Sequence, residues 1–561
     1  MGLSRRKLLS AAAGGGAAAA LAGLGAARIA TAATNTASAK AAAASAPGDV
    51  VGKVTVGYQG WFACKGDGAP IDDWWHWSPD ASRPPSPSNT GIKCWPDMRE
   101  YTKSYPTAYA KLGNGQPAAL FSSYDQQTVD VHFQWMQQYG IDTAALQRFN
   151  PTGGEGPTRD AMAVKVRGAA EAHGRKFYVM YDVSGWSTMQ SEIKADWTNK
   201  MKAHTASSAY AVQNGKPVVC IWGFGFNDNN HPFDPAACLD VINWFKGQGC
   251  YVIGGVPREW RVGGSGTRTG FTDVYHAFNM LSPWMVGAIG NVGDSDSVYQ
   301  NITLGDQADC NAHGVDYQPC VLPGDVSARQ RAHGDFMWRQ FYNMVRAGAQ
   351  GIYISMFDEY NEGNQIAKTA ETQASVPTDS GFLALDEDGT ACSSDYYLRL
   401  TGDGGRMLKG QLALTATRPT QPVVSGSGGT GTVVSLRSRA NGKYVTAESA
   451  GADPLIANRT AIGAWEQFDL LDAGGGTIAL RAHANGKIVT AENAGAAALI
   501  ANRTGVGAWE TFTLVHNSDG TVSLRAGVNG RYVTAENAGA AALIADRDAI
   551  GGWEEFDLVT D

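Results

Sequence analysis

The chain has 561 residues, more than one hydrophobic core normally supports, so its length predicts two folded domains. Its 45 basic and 53 acidic residues give a formal net charge of −8, and 43% of the residues are hydrophobic. This balance lacks the concentrated positive charge of proteins that bind nucleic acids or anionic membranes. We therefore expect a neutral partner, with no nucleic acid and no membrane.

The N-terminus has the pattern of an export signal. Arg5, Arg6 and Lys7 precede an apolar run rich in Ala, Gly and Leu, and small residues continue to Ala33. This order resembles a twin-arginine signal peptide over residues 1–33, and the Ala/Ser/Thr-rich residues 34–49 predict a disordered stalk. A membrane anchor is the alternative, but a bilayer span needs about 20 strongly apolar residues. We expect a bacterial protein exported to the extracellular space.

The eight cysteines all precede the C-terminal part of the chain. An even count in an exported protein predicts some disulfide bonds, and the pairs closest in sequence are Cys64 with Cys94 and Cys310 with Cys320. Cys220 lies in an apolar run and is predicted to be a buried small hydrophobe. No cysteine has zinc-ligand spacing, so we expect neither a metal centre nor another cofactor.

Residues 50–416 alternate apolar runs with amphipathic stretches. This alternation predicts an α/β domain, a (β/α)8 TIM-type barrel, rather than a doubly wound sheet. The predicted strands are residues 54–58, 118–122, 143–149, 177–181, 217–222, 251–255, 285–289 and 351–356. The predicted helices are residues 128–138, 159–173, 191–204, 236–246 and 329–347.

The last predicted strand leads directly into Asp358, Glu359 and Glu362. In a barrel, working residues lie at the C-terminal ends of the strands. Three carboxylates within five positions repel one another, and neighbouring aromatics desolvate them; both effects raise a carboxyl pKa, as a proton donor requires. Glycoside hydrolysis uses one protonated and one ionised carboxyl group. An acidic surface loop or a helix N-terminus is the alternative explanation of this spacing.

The segment 355–365 is similar to the Asn-Glu-Trp-His-Glu-Gly-x-Gln segment of glycoside hydrolase family 99, the endo-α-mannosidases and endo-α-mannanases, which are related to the family 71 α-1,3-glucanases. The resemblance implies that Glu362 is the general acid/base. It implies that Glu359 deprotonates the sugar 2-hydroxyl, which allows an anhydro-sugar intermediate with retention. Asp358, Tyr360 and Asn361 depart from the family pattern, so the substrate stays open between α-mannan-like and α-glucan-like polymers.

Aromatic residues cluster near the predicted strand ends and in loops. Sugar rings present apolar C–H faces that stack on aromatic side chains, so these residues predict a saccharide cleft, although burial in the core explains any single tryptophan equally well. His76 is either a hydrogen-bonding partner of the sugar or a packed histidine, and no metal is assigned to it. The candidate substrate-binding residues are Tyr58, Trp61, Trp75, His76, Trp77, Tyr181, Trp222, Arg258, Tyr360, Asn361 and Gln365.

Asp182, after the fourth predicted strand, is a possible alternative acid. In many barrel glycosidases the proton donor lies at this position. A hydrogen bond from Asp182 to the following turn at Ser184 is the alternative role.

The C-terminal residues 432–561 contain a triple repeat. An Asn-Gly turn recurs at Asn441, Asn485 and Asn529, a period of 44 residues, after a Pro/Gly/Ser/Thr-rich linker over residues 417–431. Short alternating strands with Asn-Gly turns predict an all-β domain, and three units of this size predict a β-trefoil rather than a propeller. The repeats resemble the fascin-like trefoil modules of bacterial glycosidases, which implies sugar binding. The repeated tryptophans at positions 465, 509 and 553 are expected in the core.

Together these features predict a secreted, monomeric glycosidase that cleaves a polysaccharide or glycan with Glu359 and Glu362 and is targeted by its trefoil. A non-catalytic secreted carbohydrate-binding protein is the main alternative. A hydrolase of another class is disfavoured because the sequence has no Gly-x-Ser-x-Gly and no HExxH motif.

Overall fold

The computed structural model describes residues 45–422, 432–474, 477–503, 506–517 and 519–560. The chain divides into two compact units between Pro422 and Val423, within the segment predicted as a linker. The predicted signal peptide and most of the predicted stalk lie outside the described residues. The end of that stalk is ordered, contrary to the prediction: the Ser45 amide donates to Asp316 (3.1 Å), and Asp49 accepts from the amide of Val212 (2.8 Å).

The first unit contains a closed parallel barrel of eight strands. Strand β1 pairs with both β2 and β8, and β6, β7 and β8 are joined in turn, so the ring has no open edge. The strands are β1 Val54–Tyr58, β2 Thr143–Arg148, β3 Lys176–Asp182, β4 Lys216–Trp222, β5 Tyr251–Val256, β6 Met280–Pro283, β7 in the two pieces Asp316–Tyr317 and Cys320–Val321, and β8 Ile352–Ile354.

Helices surround the barrel because the outward face of its strands is largely apolar and must be covered. Local signals fix several ends: Asp234 caps α4 by accepting from the amide of Ala237 (2.8 Å), and Gly348 ends α8 at φ 86°. The helices are α1 Gln126–Gln138, α2 Gly156–Ala172, α3 Met189–Asn199, α4 Pro235–Gly247, α5 Thr272–His276, α6 Val292–Val298, α7 Leu304–His313, α8 Asp335–Ala347 and α9 Tyr396–Leu408. A π-helical turn, Tyr299–Thr303, joins α6 to α7. Short 3₁₀ turns cover Met201–Ala206, Ala332–Gly334 and Gln373–Ser375.

Two of the eight predicted strands are wrong. Only Ala119–Leu120 of the segment 118–122 is extended, and it pairs antiparallel with Tyr105–Pro106 outside the barrel. The sixth strand is Met280–Pro283, and residues 285–289 follow it as a loop. The missing strand is β7, which Pro319 interrupts because proline has no amide hydrogen for the ladder. The Pro319 carbonyl still accepts from the amide of Tyr353 (3.1 Å) and keeps the strand in register.

Large polar and aromatic side chains fill the barrel interior. Gln147 on β2 donates to the hydroxyl of Tyr353 on β8 at 3.3 Å, and its amide also contacts the sulfur of Met180 on β3 at 3.0 Å. Gly57 on β1 makes room for this layer, since a Cβ there would lie 2.2 Å from the Tyr353 hydroxyl. The filled interior leaves the C-terminal mouth of the barrel as the place for a site.

The structure contains no disulfide among the eight cysteines, all of which lie in the described residues and are buried. The expected bridges between Cys64 and Cys94 and between Cys310 and Cys320 are therefore wrong. Cys64 instead donates its thiol to the carbonyl of Phe121 at 3.3 Å, and burial raises the pKa of the Cys94 thiol to about 12. Cys220 is buried, as predicted.

The second unit is an all-β domain of antiparallel strands. Six strands close a barrel, the first and last of each repeat, and the two middle strands of each repeat form a hairpin beside it. Asn441 accepts from the amide of Lys443 (3.0 Å) and holds the Asn-Gly turn of the first repeat, where Gly442 has φ 71°. The strands are Thr432–Ser438, Tyr444–Ala447, Leu455–Arg459, Phe468–Gly474, Thr477–Ala482, Ile488–Ala491, Leu499–Arg503, Phe512–His516, Val522–Ala526, Tyr532–Thr534, Ile544–Arg547 and Phe556–Thr560. Two further turns, Glu448–Gly451 and Asn493–Gly495, are helical.

None of the helices within the described ranges has both the length and the apolar character needed to cross a bilayer.

Candidate functional site

The loop after β8 closes on itself at the C-terminal mouth of the barrel. The amide of Met356 donates to the Asn364 carbonyl (3.2 Å), and the amide of Ile366 donates to the Met356 carbonyl (3.1 Å). The predicted carboxylates Glu359 and Glu362 both lie on this loop, and each is only 3% exposed. The fold thus brings both glutamates to the barrel mouth in a sheltered position.

Arg331 holds the second half of this loop. Its Nη2 donates to the carbonyls of Gly363 (2.9 Å) and Gln365 (2.7 Å), and its Nε donates to the Gly324 carbonyl (2.9 Å). The guanidinium is buried and lies 4.3 Å from the ring centre of Tyr397. Because this planar fork contacts two carbonyls that directly follow Glu362, it fixes the backbone on the C-terminal side of that glutamate.

Asp358 binds backbone rather than facing the mouth. Its two oxygens accept from the amides of Gln59 (2.7 Å) and Gly60 (2.8 Å), which directly follow β1. Burial raises the pKa of Asp358 to about 6, although the two amides and Arg159 oppose the shift. Asp358 therefore joins the end of β8 to the end of β1.

Gln59 connects this junction to Glu359. Its Nε2 donates to Glu359 Oε2 at 2.6 Å, and its carbonyl accepts from Arg159 Nη2 at 2.6 Å. Arg159, on α2, also donates to the Gly60 carbonyl (2.9 Å). Sequence reasoning missed Gln59; its position one residue beyond β1 was the available signal, because side chains there face the barrel mouth.

A layered aromatic wall stands beside the loop. The His76 ring stacks on Trp61 at 3.7 Å and 12°, and Trp61 stacks in turn near Phe149 at 5.6 Å and 18°. Trp75 meets His76 edge-on at 5.2 Å. Trp61, Trp75 and His76 are all partly exposed, and burial together with Arg159 keeps the pKa of His76 well below its usual value. The wall therefore presents neutral rings to the solvent.

Asn361 ties the loop after β8 to this wall. Its Nδ2 donates to the carbonyls of His76 (2.6 Å) and Gly91 (2.7 Å). Asn361 was predicted as a substrate-binding residue, and the structure uses its amide nitrogen to hold the segment that carries His76.

A second aromatic pair lies on the other strands of the mouth. Trp222, at the end of β4, meets Trp284, just after β6, at 5.4 Å and 77°. Gly255 on β5 makes room for Trp222, because a Cβ there would lie 2.2 Å from the indole. Trp284 was missed because a strand was predicted to begin just after it, at residues 285–289, so its place at a strand end was hidden.

Asp182 lies in a polar network at the end of β3. Its Oδ1 accepts from both the amide (3.0 Å) and the hydroxyl (2.6 Å) of Ser184, the turn contact considered from the sequence. The Ser184 hydroxyl also contacts His231 Nε2 at 2.9 Å, and His231 Nδ1 contacts Asp228 at 2.8 Å. His231 and Asp228 come from the loop after β4 and were not predicted. The role of Asp182 as an alternative acid stays a prediction.

Several predicted substrate-binding residues are buried and bonded within the protein. On the strands, Tyr58 contacts His132 Nδ1 (3.0 Å) through its hydroxyl, and Tyr181 donates to Asp196 (2.9 Å). Because both side chains reach the helix layer, assigning them to the cleft was wrong. Successive strand residues alternate between the barrel interior and its outer face, so an error of one position in a predicted strand moves a side chain from one face to the other.

Three further candidates in the loops are also enclosed. Trp77 donates to the Phe121 carbonyl (3.1 Å), Tyr360 donates to the Lys368 carbonyl (3.0 Å), and Gln365 donates to Thr369 (2.7 Å). All three are fully buried, so they support the loops rather than offer a surface to a ligand.

Arg258 faces a different part of the mouth. Its guanidinium pairs with Glu259 at 2.9 Å, and both residues line a cavity of about 240 Å³ between the loops after β5 and β6. Ile289 and Asp294 are among the other residues that line this cavity. Arg258 is thus separate from the contacts that hold Glu359.

The second unit carries an exposed tryptophan in each repeat. Trp465, Trp509 and Trp553 are 37%, 37% and 39% exposed, so the expectation that they fill the core is wrong. The core is filled instead by other repeated side chains, among them the fully buried Phe468 and Phe512.

A polar cluster accompanies each of these tryptophans. In the first repeat, Glu448 accepts from Asn458 Nδ2 (2.6 Å) and pairs with Arg459 (2.8 Å). The amide of Ala447, the residue before Glu448, donates to the Trp465 carbonyl (2.8 Å), which joins the cluster to the tryptophan segment. The second repeat has the same contacts, and in the third repeat an aspartate replaces the asparagine.

Comparisons with known proteins add the following. No family model matches the sequence, and no curated protein matches it. The GH99 endo-alpha-mannosidase of Bacteroides thetaiotaomicron aligns with 64% of this chain and 98% of its own, at 15% identity and a TM-score of 0.47. The designed threefold-symmetric protein ThreeFoil aligns with 23% of this chain and 98% of its own, at 26% identity and a TM-score of 0.22. An exo-beta-1,3-galactanase of Clostridium thermocellum aligns with 26% of this chain and 33% of its own, at 17% identity and a TM-score of 0.23. The architecture and the site described above rest on the geometry of this chain.

Proposed function

We propose that this protein is a glycoside hydrolase in which Glu359 and Glu362 are the two catalytic carboxyl groups. The observation that carries the proposal is that both glutamates are nearly inaccessible, on one loop, at the C-terminal end of a closed parallel barrel. Two carboxyl groups in distinct environments meet the chemical need of glycosidic cleavage, which is one proton donor and one ionised partner.

The surroundings of the two glutamates differ. Glu359 Oε2 accepts from the side-chain Nε2 of Gln59, a contact that favours the ionised form. Glu362 lies between Asn361, which donates to the backbone of the aromatic wall, and Gly363, whose carbonyl accepts from Arg331. We propose Glu362 as general acid/base and Glu359 as the base that takes the proton of the sugar 2-hydroxyl. As O2 bonds to C1, the glycosidic bond breaks and the leaving oxygen takes a proton from Glu362. Water, deprotonated by Glu362, then attacks C1 and opens the anhydro-sugar, and Glu359 returns its proton to O2.

The wall of Trp61, Trp75 and His76 fits a neutral saccharide. Its rings are parallel or edge-on, partly exposed and uncharged, which suits stacking against the C–H faces of sugar rings. The nearby Arg159 is buried, and its Nη1 and Nη2 donate to backbone carbonyls, so it is not placed to select an anionic substrate. An α-mannan-like or α-glucan-like polymer is therefore the proposed substrate class.

For the second unit we propose a β-trefoil that binds sugar polymers. Six barrel strands, three hairpins and a 44-residue repeat support the fold, and an exposed tryptophan beside a Glu/Arg cluster in each repeat supports the binding. Three weak sites on one domain gain affinity for a polymer because the second and third contacts are intramolecular. Export through the twin-arginine route is part of the proposal and rests on the N-terminal pattern.

The test is a screen of purified full-length protein against α-mannans, α-glucans and arabinans, with Glu359→Gln and Glu362→Gln variants. We expect one polymer class to be cleaved and each variant to lose about 10²- to 10⁴-fold in kcat. Glu171→Gln, on the outer surface of α2, is the matched control. Activity that survives both substitutions would overturn the site, and binding without cleavage of any polymer would favour the carbohydrate-binding alternative.

A further inference from the structure

A group of three metal-ligating side chains lies outside the candidate active site. His276 Nε2 is 2.7 Å from Asp309 Oδ1, and His313 Nδ1 is 3.2 Å from the same oxygen. The two imidazole rings stack at 3.6 Å and 15°. Among the described residues this is the one group of three or more such side chains whose ligand atoms all lie within 4.8 Å of one another.

The elements that carry these residues lie at the N-terminal side of the barrel. His276 is the last residue of α5, four positions before β6 begins, and His313 is the last residue of α7, three positions before β7 begins. Asp309 and His313 are four residues apart on α7 and therefore share one face of that helix. The cluster thus bridges two helices at the face of the barrel opposite the catalytic loop.

The local electrostatics favour a cation. The C-terminal end of α7 points its unsatisfied carbonyls toward His313, and Gly314 ends the helix in the left-handed region at φ 67°. Asp306 lies one turn before the cluster and is neutralised by Arg261, whose Nε is 2.9 Å from its carboxylate. Within the part of the chain that the structure describes, the ion partners of Asp309 are the two histidines, and no arginine or lysine pairs with it.

We propose that His276, Asp309 and His313 bind one divalent transition-metal ion of the zinc class. Two imidazole nitrogens and a carboxylate oxygen are ligands that zinc accepts, and water would complete a four-coordinate site. Neighbouring ligand atoms in such a site are roughly 3.4 Å apart, given metal–ligand distances of about 2.1 Å. The two contacts to Asp309 need to open by less than about 1 Å to admit the ion. His313 Nδ1 would then exchange its contact with the Asp309 carbonyl for the metal.

The bound ion would stabilise the fold rather than take part in catalysis. It would fix α5 against α7 close to the points where β6 and β7 begin. These points lie at the N-terminal face of the barrel, which serves stability rather than catalysis. The side chains are accessible to an ion from solvent, since His276, Asp309 and His313 are 19%, 25% and 44% exposed.

The experiment uses tag-free full-length protein, stripped with EDTA, dialysed and titrated with ZnCl₂ by calorimetry, with thermal unfolding in parallel. We expect one equivalent of zinc to bind and the Tm of the first unit to rise by about 3 °C or more at a hundredfold excess over Kd. His313→Gln and His276→Ala should each weaken binding at least tenfold and abolish the Tm shift. His173→Ala, at the end of α2, should change neither.

Cobalt provides a second measurement that does not depend on stability. Co²⁺ in a site with nitrogen and oxygen ligands should give a visible absorption band that is absent in Asp309→Asn. Absence of saturable binding, or binding that persists in both histidine variants, would overturn the proposal. Loss of polysaccharide cleavage on EDTA treatment at 25 °C would overturn the stabilising role, since the site lies apart from Glu359 and Glu362.

Discussion

The side-chain amide of Asn361 donates a 2.6 Å hydrogen bond to the backbone carbonyl of His76, 285 residues earlier in the chain. This bond joins the loop that carries both glutamates to the wall that carries the exposed rings. A second bond from the same nitrogen, to Gly91 at 2.7 Å, fixes the far end of the wall segment. One side chain thus joins the loop of the acid groups to the aromatic surface.

Replacing Asn361 should loosen the wall without removing a carboxylate. Asn361→Ala deprives two backbone carbonyls of their donor, and we expect the free energy of unfolding to fall by about 1–3 kcal/mol. KM on the polymer should rise more than kcat falls, because the stacked His76 and Trp61 lose their support. Urea unfolding and steady-state kinetics measure these effects. Asn301→Ala, which removes an exposed bond to Ser297, is the control, and an unchanged KM would contradict the assigned role.

Asp358 should make stability depend on pH in an unusual direction for an aspartate. Its folded pKa of about 6 lies above the ordinary value of 3.8, so the folded protein binds the proton more tightly than the unfolded chain does. The contribution of Asp358 to the free energy of unfolding is therefore fully present below pH 3.8 and is lost as the pH rises through 6. The loss is about 3 kcal/mol.

Asp358→Asn provides the measurement. The variant has no carboxyl group at this position. Between pH 4 and pH 7 the free energy of unfolding of the wild type should therefore fall by about 2.4 kcal/mol relative to that of the variant. Asp379→Asn, in an exposed loop, should show no such change. A difference that stays constant across this range would rule out the raised pKa.

The three repeated tryptophans should carry polymer binding. Each single Trp465→Ala, Trp509→Ala or Trp553→Ala substitution should weaken retention on insoluble polysaccharide several-fold, and the triple variant should lose about 10²-fold or more, because avidity multiplies the sites. Stability should change little, since these side chains are more than a third exposed. Pull-down on insoluble polymer measures retention.

Activity on short soluble substrates separates binding from catalysis in the same variants. It should stay at the wild-type level, as it should in the control Leu414→Ala, which removes an exposed apolar side chain outside the second unit. Equal losses on soluble and insoluble substrates would argue against a targeting role.

The cysteines should behave as thiols. All eight are buried and none is joined in a disulfide, so a thiol reagent should react with few in the native protein and with eight after denaturation. A reducing agent should leave the Tm unchanged, whereas removing a native disulfide typically costs 2–5 kcal/mol. Fewer than eight reactive thiols in the denatured protein would show that a bridge had formed.

The sequence by itself determined the features that depend on local pattern and repetition. Six of the eight barrel strands follow from apolar runs, and the all-β second unit follows from the exact 44-residue spacing of its Asn-Gly turns. The place of Glu359 and Glu362 at a strand end follows equally, because β8 leads into them without interruption. Each of these inferences uses residues close together in the chain.

Only the tertiary structure decided which side chains share a surface. Tyr58 and Gln59 are adjacent in sequence, yet Tyr58 reaches His132 in the helix layer while Gln59 binds Glu359 at the mouth, because successive strand residues face opposite sides. The interrupted strand β7 and the exposure of Trp465 depend likewise on distant pairing and packing. Contacts between residues hundreds of positions apart leave no periodic trace in one sequence, which is why pattern alone could not supply them.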